Sequence, residues 1–204
     1  MRYLILIASC VKNADRRAAQ RETWLTKLLP DMTPLFYVGH GAKVDEPNTV
    51  QLYVEDNYEA LPHKMHAAVS YAAANFTFDY MFRVDDDTYA VPARFDSLFW
   101  QPGMEMIGGD IMSEHQWSTG GAGLMFSRRL VDCMVKTPPR TPCPDCDDGW
   151  ACEVGRKNKA KFYWTPRLQH ENKPLPHPRN DMVTGHHLSP DEMRRLHRTF
   201  YPTD

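Results

Sequence analysis

Three consecutive aspartates, Asp85, Asp86 and Asp87, follow directly on a mostly apolar segment, Asp79 to Val84, that reads as a β-strand. Three adjacent carboxylates repel one another. At roughly 4–6 Å and an effective dielectric near 20, each pair costs about 3–4 kcal/mol before screening. A hard divalent cation removes that cost, and oxygen ligands suit Mg2+ or Mn2+. While the chain stays extended, Asp85 and Asp87 point the same way and can share one cation, with Asp86 facing elsewhere. A solvated acidic turn is the plain alternative, and the apolar strand directly before the acids argues against it.

Four further clusters carry chemistry. Arg17 and Arg21 lie four apart near the start of a helix, where fixed guanidinium groups and a helix N-terminus favour an anion; a solvated basic face would have the same spacing. In Ser118-Thr119-Gly120-Gly121-Ala122-Gly123, Gly120 and Gly121 allow close backbone approach to a ligand, or a tight turn, and Trp117 just before could stack on a sugar or simply pack. Asp147 and Asp148, in a Gly- and Pro-rich stretch, could supply a general base or be exposed turn acids. The Cys143-x-x-Cys146 piece, with Cys133 and Cys152, could hold structural zinc, although its spacings match no standard ribbon. His186 and His187, ahead of the last helix, could complete a metal site or be a surface pair.

The elements that must position these groups alternate between strand and helix. Strands are expected at Tyr3–Ala8, Leu35–Val38, Val50–Val54, Asp79–Val84, Met104–Ile107, Ala122–Phe126 and Lys161–Trp164. Asp15 is expected to cap a helix carrying Trp24, Leu25, Leu28 and Leu29 and ending before Pro30. Leu61, Met65, Ala68, Val69 and Ala72 give Tyr58–Ala74 a helical period. Ser127 can cap a short helix with Leu130, Val131 and Met134 on one face. Ser189-Pro190-Asp191-Glu192 has capping-box spacing before Met193, Leu196 and Phe200. This alternation predicts an α/β fold with a mostly parallel central sheet flanked by helices, which binds ligands at the carboxyl ends of its strands.

Composition narrows the classes. At 204 residues the chain suits one unit, 1–204, with a buried core of its own. A net charge of −2 excludes a whole-surface footprint for nucleic acid. No apolar run reaches the roughly 18 residues of a membrane span, and Leu4–Ala8 is too short for a signal peptide core. An odd cysteine count, five, favours reduced thiols or a metal site over a disulfide framework.

In chain order, these motifs resemble glycosyltransferase family 31, the Fringe, β-1,3-galactosyltransferase and core 1 synthase group. Arg17-Ala18-Ala19-Gln20-Arg21-Glu22-Thr23-Trp24 resembles its early Arg…Arg-x-Thr-Trp motif, and Asp56-x-Tyr58-x-x-Leu61-x-x-Lys64 a second segment. Arg83-Val84-Asp85-Asp86-Asp87 resembles its Asp-x-Asp metal motif, Thr119–Gly123 the glycine segment of Fringe, and His186–Leu196 the terminal His-containing segment. The resemblance implies a GT-A fold with a Rossmann-like nucleotide-binding half, about 1–89, and an acceptor-binding half, about 90–204. It implies an inverting transferase with a UDP-sugar donor, Mn2+ or Mg2+, a glycan or glycoconjugate acceptor and a β-1,3 product. Asp85, Asp87 and His186 would hold the metal, with His187 second to His186. Arg17, Arg21, Asp56, Lys64, Asp85, Asp86, Gly120 and Gly121 would line the donor site, and Asp148, or else Asp147, would be the base. Cys152 stands where the family pattern has glycine. A metal-dependent phosphoesterase and a non-catalytic UDP- or sugar-binding module of the same fold are the rival classes. The expected compartment is the cytoplasm if this is the full chain, or the Golgi lumen if it is a trimmed form of an anchored enzyme.

Overall fold

The computed structural model describes residues 1–99, 101–109, 111–112, 117–140, 146–170 and 178–202, with backbone alone at 111, 112 and 117. The elements run β1 (Tyr3–Ala8), α1 (Ala14–Glu22), β2 (Met32–Val38), β3 (Thr49–Gln51), α2 (Leu61–Asn75), β4 (Tyr80–Asp85) and β5 (Tyr89–Ala90). Then come β6 (Met106–Gly108), β7 (Ile111–Met112), β8 (Trp117–Ser118), β9 (Leu124–Ser127), α3 (Arg128–Val135) and α4 (Asp147–Lys157). The chain ends with β10 (Phe162–Trp164), β11 (Leu168–Gln169), β12 (Thr184–Gly185) and α5 (Pro190–Phe200).

A seven-stranded sheet in the order β10-β6-β9-β4-β1-β2-β3 forms the centre, and only β9 runs antiparallel to its neighbours. β1 and β4 lie in the middle and are buried on both faces, which is why Tyr3–Ala8 reads as a continuous apolar run. One face packs Leu4, Leu6, Met81, Leu124 and Met106 against α2, α3 and α4. The other packs Ile5, Ile7, Phe82 and Val84 with Trp24 and with Met193 and Leu196 of α5. A small sheet, β11-β12-β5, ties the C-terminal segment to the chain just after the aspartates. The mostly parallel α/β architecture expected from the sequence is therefore present.

Several boundaries differ from expectation for local reasons. The first helix stops at Glu22, because Thr23 turns its hydroxyl back onto the Ala19 carbonyl at 2.6 Å and the chain continues as a 3-10 turn over Trp24–Lys27. Asp15 sits in the first turn of α1 and not at its cap. Asn13 holds the cap position, with its side-chain amide donating to Asp86 instead of capping. The second helix begins at Leu61, since the Asn57 side chain accepts from Ala60 N–H and keeps 57–60 in a turn. The third strand is only Thr49–Gln51. Ser127 and the Ser189–Glu192 capping box are formed as expected. Ser189→Ala should lower stability by about 1 kcal/mol, read as a reduced melting temperature, because it leaves Glu192 N–H without its cap.

Candidate active site

A cavity of about 430 Å3 opens at the carboxyl ends of β1 and β4. Its walls come from Ser9 and Cys10 after β1, Asn13 and Arg16 at the start of α1, Tyr58, Leu61 and Lys64 around the start of α2, and Arg83, Asp85, Asp86 and Asp87. Thr119 and Gly121, the first turn of α4, and three histidines beyond β11 and β12 close it. This is the strand edge at which parallel α/β sheets hold ligands.

The aspartates separate as the strand reading anticipated, although through a turn and not by staying extended. β4 ends at Asp85, and Thr88 N–H bonds back to the Asp85 carbonyl. Asp86 turns into the sheet end and accepts from Ser9 Oγ at 2.6 Å, Asn13 Nδ2 at 2.9 Å and Arg16 Nη1 at 3.1 Å. Burial raises its pKa, and these three donors offset part of that cost. Asp85 and Asp87 face the other way, towards His186 Nε2 at 3.4 and 2.9 Å. Two residues of the α1 region fix the turn's backbone: Gln20 Nε2 donates to the Asp85 and Thr88 carbonyls, and Trp24 Nε1 to that of Thr88.

Ligand atoms of Asp85, Asp87 and His186 lie within 4.8 Å of one another. Two carboxylates and an imidazole suit Mn2+ or Mg2+. Burial opposes charge on His186, but the two carboxylates outweigh it and raise its pKa to about 9; a bound cation would replace that proton. Asp85 is held well below the usual carboxylate range: burial alone would raise it, and Arg83 and His186 reverse the sign. His170 touches the far side of the ring, Nδ1 to Nδ1 at 3.1 Å. Burial and the neighbouring histidines lower the His170 pKa to about 4, so it stays neutral. Two other clusters occur among the described residues, His170–His186–His187 and Cys146–Asp147–Asp148. The second is a poor cation site, because Asp147 is already taken by Arg83 and burial keeps the Cys146 thiol protonated. Neither cluster includes Cys133 or Cys152; Cys143 lies outside the described residues, as does the side chain of Trp117.

The stretch expected to be a loop around Asp147 and Asp148 is the first turn of α4. Acidic residues there complement the helix dipole, so both acids are at home at this end. Their surroundings differ. Asp147 is buried and receives Arg83 Nη2 at 2.6 Å, while the same nitrogen reaches Asp85 at 2.8 Å. Asp148 accepts Gly120 N–H on one oxygen at 2.7 Å, and its other oxygen has no hydrogen bond. Burial, then the neighbouring Asp147 charge, pushes the Asp148 pKa up to about 7.

The glycines serve these side chains. A Cβ on Gly120 would stand 2.0 Å from Asp148 Oδ1, and one on Gly121 would stand 2.2 Å from His186 Cε1. Gly120 and Gly121 thus make room for an acid and an imidazole, not for open ligand space. Gly121→Ala should displace His186. We expect loss of Mn2+-dependent donor binding by calorimetry, in a protein whose far-ultraviolet dichroism is unchanged.

Other expected donor-site residues are placed as follows. Lys64 reaches the cavity wall, buried, with its ammonium on Asp56 at 2.8 Å and on the Ser9 carbonyl. Asp56 lies behind it and braces the chain through Val11 and Gly39 N–H. Arg17 and Arg21 are outside the cavity wall, with both guanidinium groups on Glu46 at 2.7 Å; Arg16 takes the place at the cavity. Arg17 and then Arg21 hold the Glu46 pKa down to about 2. A depressed carboxylate contributes stability above its unfolded value of 4.5 and loses it as pH falls towards 2. The melting-temperature gap between wild type and Glu46→Gln should therefore be widest near neutrality and shrink below pH 4.5. Arg83, Arg16, Gln20 and Tyr58 fall within or beside the sequence motifs without a role of their own there, and His170 lies in none of them. Arg83 did leave a signal, a cation inside an apolar strand; His170 follows a two-residue strand and left none.

The family model described as Galactosyltransferase matches residues 15–122, more than half of the chain. No curated protein matches in sequence. Among solved structures, the chain is similar to a glycosyltransferase involved in glycosylation of the major capsid of PBCV-1, with TM-score 0.64 and 13% identity over 97% of this chain and 100% of that one. It is also similar to the apo-form glycosyltransferase GlyE of Streptococcus pneumoniae TIGR4, with TM-score 0.54 and 10% identity over 94% of this chain. A third is the mannosyltransferase PcManGT of Pyrobaculum calidifontis, in complex with GDP-Man and Mn2+, with TM-score 0.54 and 12% identity over 82% of this chain. The chain spans 56% of GlyE and 55% of PcManGT. These likenesses establish the GT-A fold. No helix among the described residues is long and apolar enough to cross a membrane. The match over residues 15–122, on a fold shared with glycosyltransferases, places the chain in the galactosyltransferase family, and it is a glycosyltransferase.

Proposed function

We propose that the protein transfers a hexose or N-acetylhexosamine from a UDP-sugar to a hydroxyl of a glycan or glycoconjugate. The reaction inverts the anomeric carbon, forms a β-1,3 linkage and depends on Mn2+ or Mg2+. The observation that carries this reading is a single cavity lined both by the Asp85–Asp87–His186 trio and by a separate carboxyl of raised pKa, Asp148. The GDP-Man and Mn2+ of PcManGT support a nucleotide-sugar and a cation on this fold. The choice of UDP rests on the resemblance to family 31. Residues 1–89 would hold the nucleotide and 90–204 the acceptor.

When bound to Asp85, Asp87 and His186, a divalent cation supplies Lewis-acid stabilisation of the diphosphate leaving group. Arg16, within 3.2 Å of Asp87, places a second positive charge beside it. Asp148 takes the proton of the acceptor hydroxyl as that oxygen bonds to the anomeric carbon. The bond from that carbon to the diphosphate breaks on the opposite side, and its electron pair leaves with UDP. One in-line displacement inverts the centre. Asp148 suits the base role better than Asp147 because its Oδ1 has no hydrogen bond and meets Arg83 only at 3.8 Å, whereas Asp147 is paired to Arg83 at 2.6 Å. Asp147 acts through Asp148, keeping its pKa high.

Thermal unfolding with UDP, GDP and CDP, each with and without Mn2+, tests the donor half of the proposal. A ligand at 100 times its Kd adds about 2.7 kcal/mol of stability. A rise that needs UDP and Mn2+ together is the expected result, and no response to any nucleotide would overturn it.

A further inference from the structure

We propose that His170, His186 and His187 form a Zn2+ site of their own, which competes with the Asp85–Asp87–His186 trio for the His186 ring. That zinc would thereby switch off transfer rests on the reading above; the binding of zinc does not.

The backbone builds the cluster. β11 and β12 are parallel, with Leu168 and Gln169 beside Thr184 and Gly185. One step further along, His186 N–H donates to the Gln169 carbonyl, which sets His170 beside His186 at the strand ends. An extended chain would send His187 to the opposite face. Instead His187 takes φ +61°, a left-handed backbone uncommon for a residue with a side chain. The turn puts its ring next to that of His186, with centroids 3.9 Å apart, and 5.1 Å from that of His170. Leu188 N–H on the Asp87 carbonyl holds the chain just beyond the turn. Backbone held in such a region tends to gather at functional sites.

The cluster presents nitrogen alone. Ligand atoms of the three rings lie within 4.8 Å of one another. The Nδ1 atoms of His170 and His186 are 3.1 Å apart. Two zinc–nitrogen bonds of about 2.0–2.1 Å at a tetrahedral angle set their nitrogens about 3.3–3.4 Å apart, so this pair needs almost no movement. His187 is exposed, and its ring is the one with room to close. Three histidines and a water make a ligand set that zinc favours, whereas Mn2+ and Mg2+ favour oxygen. The two nitrogens of His186 thus face two kinds of site. Nε2 faces Asp87 at 2.9 Å and Asp85 at 3.4 Å, and Nδ1 faces His170.

A neutral imidazole has one free lone pair, so it ligates through one nitrogen at a time. Zinc on Nδ1 leaves the ring hydrogen on Nε2, where it donates to the two carboxylates. Asp85 and Asp87 stay satisfied, and their cation loses its nitrogen ligand. Mn2+ on Nε2 moves the hydrogen to Nδ1 and closes the histidine site. Repulsion between two dications across one ring adds to the exclusion.

Isothermal titration calorimetry with Zn2+ alone, and with Mn2+ in the presence and absence of UDP, tests this. Wild type should bind Zn2+, and Zn2+ at 100 times its Kd should weaken Mn2+ about 100-fold. Losing an outer partner of a metal ligand costs about 10–100-fold in affinity, and His170→Gln and His187→Asn, which each remove a ligand, should cost Zn2+ at least that. Their Mn2+ affinity should change far less. Asparagine tolerates the left-handed turn at 187, so that variant should fold. Asp87→Ala should do the reverse, keeping Zn2+ and losing Mn2+. In thermal unfolding, zinc should suppress the UDP-plus-Mn2+ rise of wild type and suppress it less in His170→Gln. Zinc lost in Asp87→Ala but kept in both histidine variants would place it among the carboxylates and overturn the site. Zinc unaffected by all three variants would place it on thiols and overturn it equally. So would no zinc binding, or Zn2+ and Mn2+ binding without competition. Failure of the transferase reading shows separately, as no response to any nucleotide while the histidine variants still lose Zn2+.

Discussion

Asp148→Asn should lose about 10²–10⁴-fold in kcat while keeping the UDP-plus-Mn2+ stabilisation, because proton transfer by a positioned base is worth that much. The substitution keeps the shape and leaves a carbonyl oxygen to accept Gly120 N–H, so the fold and the donor site should persist. Its second signature is in the pH profile. With a pKa near 7, Asp148 is protonated and inactive as a base in acid, so wild-type kcat should climb through about pH 7 and level above it. The variant should lack that limb. Asp147→Asn should behave differently: it weakens the contact that compensates buried Arg83, and breaking such a pair costs about 3–5 kcal/mol. Its main effect should be on stability, with activity following. Wild-type turnover in Asp148→Asn would remove it from the base role.

The fold was legible because its central strands are buried on both faces and read as unbroken apolar runs. Tyr3–Ala8 is such a run, and Met81–Val84 is one but for Arg83. The capping box at Ser189 is a local signal and was equally plain. The first turn of α4 was not. Gly149 and the prolines upstream suggested a loop, while what makes it helical is tertiary: Trp150, Ala151 and Val154 pack into the sheet-facing core. The site follows the same division. Asp85, Asp87 and His186 were readable from type and order, and the structure brings their ligand atoms together. Arg17 and Arg21 had the right spacing for an anion site, yet Glu46, distant in sequence, takes both charges. Gln20 and Trp24 brace the aspartate turn through backbone carbonyls, a role no side-chain pattern reveals. Gly120 and Gly121 were noticed as permissive backbone, but only coordinates show that Asp148 and His186 fill the space they leave.

Asp87→Ala should abolish the Mn2+ dependence of UDP binding, so that its response to UDP with the cation falls to the response without it. The three candidate ligands are not equivalent. Asp85 already faces Arg83 at 2.8 Å, which neutralises much of its charge, and His186 brings no negative charge at all. Asp87 meets only the partly exposed Arg16, at 3.2 Å, and is left as the main anionic ligand, so its removal should cost more cation affinity than removal of either other member. The metal-free protein should survive the change. Arg16 retains Asp86 at 3.1 Å and His186 retains Asp85 at 3.4 Å, so neither cation is stranded. Removing one of three adjacent carboxylates also relieves repulsion within the turn. Loss of the ligand response with a near-normal melting temperature would thus report cation binding and not unfolding. Asp85→Ala gives the contrast, because it leaves Asp87 in place and removes one of the two carboxylates that lie within 3 Å of buried Arg83. It should lower the metal-free melting temperature more than Asp87→Ala while retaining part of the Mn2+ response. A full Mn2+-dependent rise in Asp87→Ala would move the cation to the His170–His186–His187 cluster, where His170→Ala would then be the decisive variant.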